Sequence, residues 1–134
     1  MQLVTPDHSI LHHVCRSDFT ISLDDINQMF FLMREKNGLG LAASQVGIDA
    51  RLFITHWGQV FVNPEIVGTR EAYFPTEGCL TLPNAFVRKR RYYEITLADG
   101  QTFRGPEAHI IQHEIDHLNG VLLTDEFQPV GRVQ

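Results

Sequence analysis

The chain of 134 residues has only two cysteines, Cys15 and Cys79, in very different settings. That excludes a disulfide framework, and a chain of this length can bury most of its apolar surface without one. There is no surplus of Lys and Arg. The formal net charge of −5 weighs against a direct nucleic-acid partner, because nothing spare neutralises phosphates. The single basic cluster, Arg88-Lys89-Arg90-Arg91, precedes an apparent strand and reads as an edge strand or a solvated face. No apolar run approaches membrane-spanning length, and the N-terminus has no signal-peptide pattern. The expectation is a cytoplasmic protein with no membrane partner, whose cysteines are ligands or free thiols. Repeats, linkers and low-complexity segments are also missing, so residues 1–134 are expected to form one domain.

Residues 1–19 have little periodicity and read as an extended arm that wraps the domain. His8, His12, His13 and Cys15 match no ligand spacing and are assigned surface or packing roles. From Ser22 the pattern becomes helical: Ser22 and Asp25 resemble a capping box, Ile26, Met29, Phe30 and Met33 follow at helical spacing, and Asn37-Gly38 closes the helix. Strands are expected at Arg51–His56 and Val60–Ile66, joined by a turn at Trp57-Gly58-Gln59, with Asn63-Pro64 breaking or edging the second. Further extended stretches are Ile66–Tyr73, Ala85–Val87 and Tyr92–Leu97. A hairpin at Asp99-Gly100 returns the chain through Gln101–Arg104. Val121–Leu123 adds a short last strand, and 126–134 reads as a tail. Strands gathered before one central helix make the fold α+β.

That helix carries Gln112-His113-Glu114-Ile115-Asp116-His117, an H-E-x-x-H pattern. Residues i and i+4 of a helix lie one above the other, so His113 and His117 can reach one metal ion. Glu114, about 100° further round the axis, can reach a water on that metal without being a ligand. Gly105-Pro106-Glu107 is a suitable start and Asn119-Gly120 a suitable stop. Ala108, Ile111, Ile115 and Leu118 form an apolar face roughly opposite the histidines. Taken alone, the pattern leaves both a metal site and a chance arrangement open. Cys79, between Gly78 and Leu80, reads either as a thiolate ligand on a strand edge or as a small buried hydrophobe. In Gly38-Leu39-Gly40-Leu41-Ala42-Ala43-Ser44-Gln45, two glycines flank one apolar residue, which suggests a close approach or a positive φ. A phosphate loop is excluded by the missing Lys-Ser/Thr ending. The segment reads as a loop in which the Gln45 amide could donate into a buried site.

Together, Gly38–Gln45, Glu77-Gly78-Cys79-Leu80-Thr81 and Gln112–His117 resemble, in order, the three motifs of peptide deformylases. His117-Leu118-Asn119-Gly120-Val121-Leu122 and Asn63-Pro64 are similar to that family too, and the resemblance runs from about Asp24 to Leu123. It implies antiparallel sheets around a central metal-binding helix, and a hydrolase that removes the formyl group from N-formylmethionyl nascent peptides. It further implies Cys79, His113 and His117 as metal ligands. One thiolate and two imidazoles suit iron(II), zinc, nickel or cobalt rather than magnesium or calcium. The resemblance points to iron(II) as the physiological ion, with the others as substitutes. Glu114 would move the protons, while the Gln45 amide and the Leu80 N–H would bind the oxyanion. Substrate would lie as an added strand between Leu39-Gly40 and Glu77-Gly78, Gly40 leaving room for it. Leu39, Phe74, Pro75, Pro106 and His109 are candidates for the methionine pocket. Asp116 is assigned an anchoring pair with Arg91.

Two departures stand out. Thr81 replaces the usual Ser but retains the hydroxyl. The chain also stops soon after the motif helix, like short phage-type members, which puts ribosome docking through a long C-terminal helix in doubt. A monomer acting in the bacterial cytoplasm, of bacterial or phage origin, is expected. The enzymatic rival is a zinc metalloprotease, with Glu126 as the nearest downstream third ligand. The non-enzymatic rival is a metal-stabilised module that holds peptide termini without cutting them, against which Glu114 and Gln45 both argue.

Overall fold

The structure is a computed structural model and describes residues 1–125, together with the backbone pairing of Gln128–Pro129. Among the described residues are two α-helices and nine strands, the strands forming three antiparallel three-stranded sheets. The first contains β1 (Gly40–Ala42), β2 (Leu52–Thr55) and β3 (Val60–Val62), in that order. The second has the order β4 (Ile66–Tyr73), β7 (Arg91–Leu97), β8 (Thr102–Arg104). The third has the order β5 (Thr76–Cys79), β6 (Leu82–Arg88), β9 (Gln128–Pro129).

Period-two alternation in β2 explains why this strand serves two of the three apolar cores. Phe53 points to one side with Ala42, Phe61, Ile95, Phe103, Ile111, Ile115 and Leu118, while Leu52 and Ile54 point to the other with Met29, Met33 and Leu41. Strands β1 and β2 are therefore buried on both faces, while β3 exposes Val60 and Val62. The second helix, α2 (Gly105–Leu118), packs on one face and the first, α1 (Leu23–Glu35), on the other. Ile111 and Leu118 are fully buried and Ile115 nearly so. Each such side chain contributes about 1.5–3 kcal/mol of burial, so α2 is held by packing rather than by propensity.

Helix ends follow local chemistry. The Ser22 hydroxyl accepts from Asp25 N at 3.0 Å, the N-terminal half of a capping box. At the C-terminal end of α2, Gly120 adopts φ +73°. Val121 N donates to Asp116 O at 2.9 Å and Gly120 N to His117 O at 3.1 Å, a Schellman termination. A Cβ at Gly120 would also lie 2.7 Å from the His13 backbone, where the N-terminal arm crosses. That arm wraps the domain as expected: Val4 N donates to Gln45 O and Cys15 N to Leu118 O. It contains one 3-10 turn, Ser9–His12, which lacked any periodic signal.

Two sequence expectations are corrected. Gly40–Ala42 is a strand, not a loop, because its backbone pairs with Phe53–Thr55. Val121–Leu123 is not a strand, since the Schellman turn redirects the chain. Leu122 is buried instead against Ile10 and Leu11 of the arm. No described helix is long and apolar enough to cross a membrane.

Candidate metal centre

The centre is built by matching two repeats. Alternate residues of a strand are about 6.7 Å apart and residues one helical turn apart about 6.0 Å, so a strand laid along a helix can meet it twice. Strand β5 does this with Glu77 and Cys79, whose side chains share one face. Glu77 Oε1 accepts from His113 Nδ1 at 2.9 Å, and Cys79 Sγ lies 3.3 Å from His117 Nε2. Gly78, between them, turns the other way. The ligand atoms of Cys79, His113 and His117 all lie within 4.8 Å of one another, the one such group among the described residues.

Electrostatics fit a cation here. Burial alone would raise the Cys79 thiol, but hydrogen bonds from His113 and His117 bring it down to about 4. Burial alone would lower His113, but bonds to Cys79 and Glu77 push it up to about 10. A thiolate beside two imidazoles, one with its Nδ1 proton engaged by a carboxylate, is a donor set for a transition metal. Glu114 is 3% exposed and its Oε1 has no hydrogen-bond partner. Burial pushes its carboxyl up from the usual range, making it a stronger proton acceptor.

Glu77 is saturated. Its Oε2 accepts from Arg91 Nε at 2.9 Å and from His109 Nε2 at 2.5 Å, and its Oε1 from Arg91 Nη2 as well as His113. Burial would raise this carboxyl, but the Arg91, His109 and His113 bonds hold it well below the carboxylate range. Arg91 Nη1 continues to Asp116 Oδ2 at 2.7 Å, the pair anticipated from the sequence. Gln112, to which no role was assigned, pins α2 to β7. Its amide donates to Tyr92 O at 2.7 Å and accepts from Tyr92 N at 2.9 Å, as a neighbouring strand would.

Gln45 sits in a 3-10 turn after β1. Its Oε1 accepts from Ala42 N at 2.9 Å, and its Nε2 donates to Thr81 Oγ1 at 2.9 Å and lies 3.7 Å from Cys79 Sγ. The Thr81 hydroxyl thus makes the contact available to a serine. A groove of about 700 Å3 opens over these groups. Leu39, Gly40, Gln45, Glu77, Gly78, Cys79, Leu80, His109, His113 and Glu114 all line it. Phe74, Pro75 and Pro106 do not; the apolar walls come from Ile110, Pro83 and Phe86 instead. Gly40 has a different reason from the one expected: a Cβ there would lie 2.8 Å from Glu114 Oε2, so the space is already taken by that carboxylate. Glu77 lines the groove too, although it is buried. Glu126, the metalloprotease candidate, lies outside the described residues.

A helix-borne H-E-x-x-H pair completed by a sulfur from a strand, at the base of a peptide-sized groove, defines a metal-dependent hydrolase. Comparison with known proteins narrows the class. The polypeptide deformylase family model matches residues 1–133. A peptide deformylase of Hydrogenovibrio crunogenus is 36% identical, covering 96% of this chain and 86% of the relative. The crystal structure of the Thermotoga maritima peptide deformylase superposes with TM-score 0.83 at 31% identity, covering 96% and 97% of the two chains. The PDF of a Vibrio parahaemolyticus bacteriophage, solved with actinonin, superposes with TM-score 0.79 at 29% identity, covering 92% and 100%. The chain belongs to the peptide deformylase family, metal-dependent hydrolases that remove the N-formyl group from the N-terminal methionine of new peptides.

Proposed function

We propose that this chain carries out deformylation with Cys79, His113 and His117 holding one divalent cation and Glu114 moving the protons. The observation that carries the reading is the convergence of those three ligand atoms beside a buried, half-unpartnered carboxylate. A cation held there by Cys79, His113 and His117 would supply Lewis acidity, making bound water acidic near neutral pH. Iron(II) is the proposed physiological ion, with zinc, nickel or cobalt as substitutes, since the sulfur and imidazole donors suit all four.

The chain's own groups do the rest. Glu114 Oε1 accepts a proton from the attacking water and returns one to the departing amine. The Gln45 Nε2–H, 3.7 Å from Cys79 Sγ, and the backbone N–H of Leu80 would donate to the developing oxyanion, each worth about 3–4 kcal/mol. Strands β1 and β5 are both edge strands, and residues of both line the groove, which supports an extended peptide pairing with either. The formylmethionine side chain would rest against Leu39, Leu80, Phe86, His109 and Ile110. Nascent chains place the work in the cytoplasm.

The test is formate release from formyl-Met-Ala-Ser by anaerobically prepared protein, with the metal counted. One ion per chain and turnover are expected. Glu114→Gln should keep the ion and lose at least about 100-fold in kcat. Normal turnover by metal-loaded Glu114→Gln refutes the role given to that carboxylate.

A further inference from the structure

His109, His113 and His117 stand four apart, so three histidines share one stripe of α2. The H-E-x-x-H pattern accounts for two of them. The third, one turn nearer the helix start, does not join the ligand group. Instead its Nε2 donates to Glu77 Oε2 at 2.5 Å, while His113 Nδ1 donates to the other oxygen, Oε1, at 2.9 Å. One carboxylate from β5 therefore spans two successive turns of the helix. Its remaining acceptor sites are filled by Arg91, which also reaches Asp116 on α2. A carboxylate has about four lone-pair sites, and all four are used.

The two histidines do different work on that carboxylate. Arg91 grips Glu77 from one side as a fork, and its third nitrogen is shared with Asp116. His113 pulls on one oxygen only. With His109 gone, Oε2 keeps only Arg91, so the carboxylate is tied to α2 through His113 alone and can tilt within the Arg91 fork, taking the His113 N–H with it. His109 supplies the opposing donor. Its ring is 23% exposed at its side chain and meets Tyr73 edge-on, with centroids 6.2 Å apart, so it has a packed seat from which to hold.

We propose that His109 is a positioning residue for the metal centre: through Glu77 it holds the ring of His113 in its ligating orientation. This rests on the reading of His113 as a ligand and adds a residue that acts on it from one turn away. Outer partners of a metal ligand change affinity by about 10–100-fold when removed, and one acting at a further remove belongs at the low end.

The experiment is zinc affinity by chelator competition, with the thermal midpoint measured alongside, on the whole chain. His109→Leu should bind zinc about tenfold more weakly, and His109→Gln, which keeps an N–H at similar reach, should stay within about threefold of the parent. A lowered midpoint with unchanged zinc affinity would mean packing alone and overturns the proposal. So does equal weakening in both variants. Long-range 1H–15N spectra of the zinc-loaded parent give a check that needs no variant: His109 must carry a proton on Nε2, and a ring protonated on Nδ1 alone overturns it. A parent that binds no zinc overturns the ligand reading itself, whereas a parent that binds zinc alongside an unaffected Leu variant overturns only the role of His109.

Discussion

Glu77→Gln is the sharpest perturbation of the network behind the metal centre. The side chain keeps its shape, but one oxygen becomes an NH2 donor. Each carboxylate oxygen faces two donors: Oε1 meets His113 and Arg91, and Oε2 meets His109 and Arg91. Whichever way the amide turns, two hydrogen bonds become donor–donor contacts. Arg91, 4% exposed, also loses its closest counter-charge and keeps only Asp116. Breaking one partner of a buried pair costs about 3–5 kcal/mol. At roughly 4 °C per kcal/mol for a chain of this size, Tm should fall by about 10–20 °C. Zinc affinity should fall by about 10–100-fold, because the His113 Nδ1 proton loses its acceptor or must share it. Denaturant titration and chelator competition read the two effects separately. A variant within 1 kcal/mol of the parent (about 4 °C) and threefold in affinity would refute the network's role.

Gly40→Ala puts a methyl 2.8 Å from Glu114 Oε2. The carboxylate must move, so kcat for formate release should drop by roughly 10–100-fold while the fold and the metal content persist; unchanged kcat would contradict the assigned position of Glu114. For metal-free protein the pH dependence follows from two opposed shifts. Cys79, depressed from 9.0 to about 4, stabilises fully above its unfolded value and loses that stability as pH falls towards 4. His113, raised from 6.5 to about 10, stabilises fully below 6.5 and loses that stability as pH rises through 10. Between 6.5 and 9.0 the folded imidazolium–thiolate pair and the unfolded imidazole–thiol pair each hold one proton. Urea midpoints should therefore be flat in that window and decline on both sides, and a steady slope across it would refute the pairing.

Much of this centre was legible in the chain. Helix α2 announced itself through Pro106, the i, i+4 histidines and Asn119-Gly120, and α1 through the Ser22 cap, because these signals act within one or two turns. The Asp99-Gly100 hairpin is equally local: Gly100 sits at φ +93° and Gln101 N donates to Asp99 Oδ1. What stayed hidden depends on residues far apart. Strand β1 is three residues with no alternation, and only its pairing with β2 makes it a strand. Gly40 looked like an allowance for substrate, since nothing in the sequence says that Glu114, 74 positions later, fills the gap. Glu77 likewise appeared only as backbone beside a ligand, and its hold on His109, His113 and Arg91 emerges from β5 lying along α2. Phe74, Pro75 and Pro106 were apolar and nearby in sequence, yet Ile110, Pro83 and Phe86 line the groove in their place.

Cobalt(II) substitution tests the heart of the account, the sulfur from β5 joining two imidazoles of α2 on one ion. The near-ultraviolet spectrum of the cobalt-loaded chain should contain an intense thiolate-to-cobalt charge-transfer band at one ion per chain, lost in Cys79→Ser and retained in Cys15→Ser. A cobalt-loaded chain without that band, or one whose band survives Cys79→Ser, would contradict it.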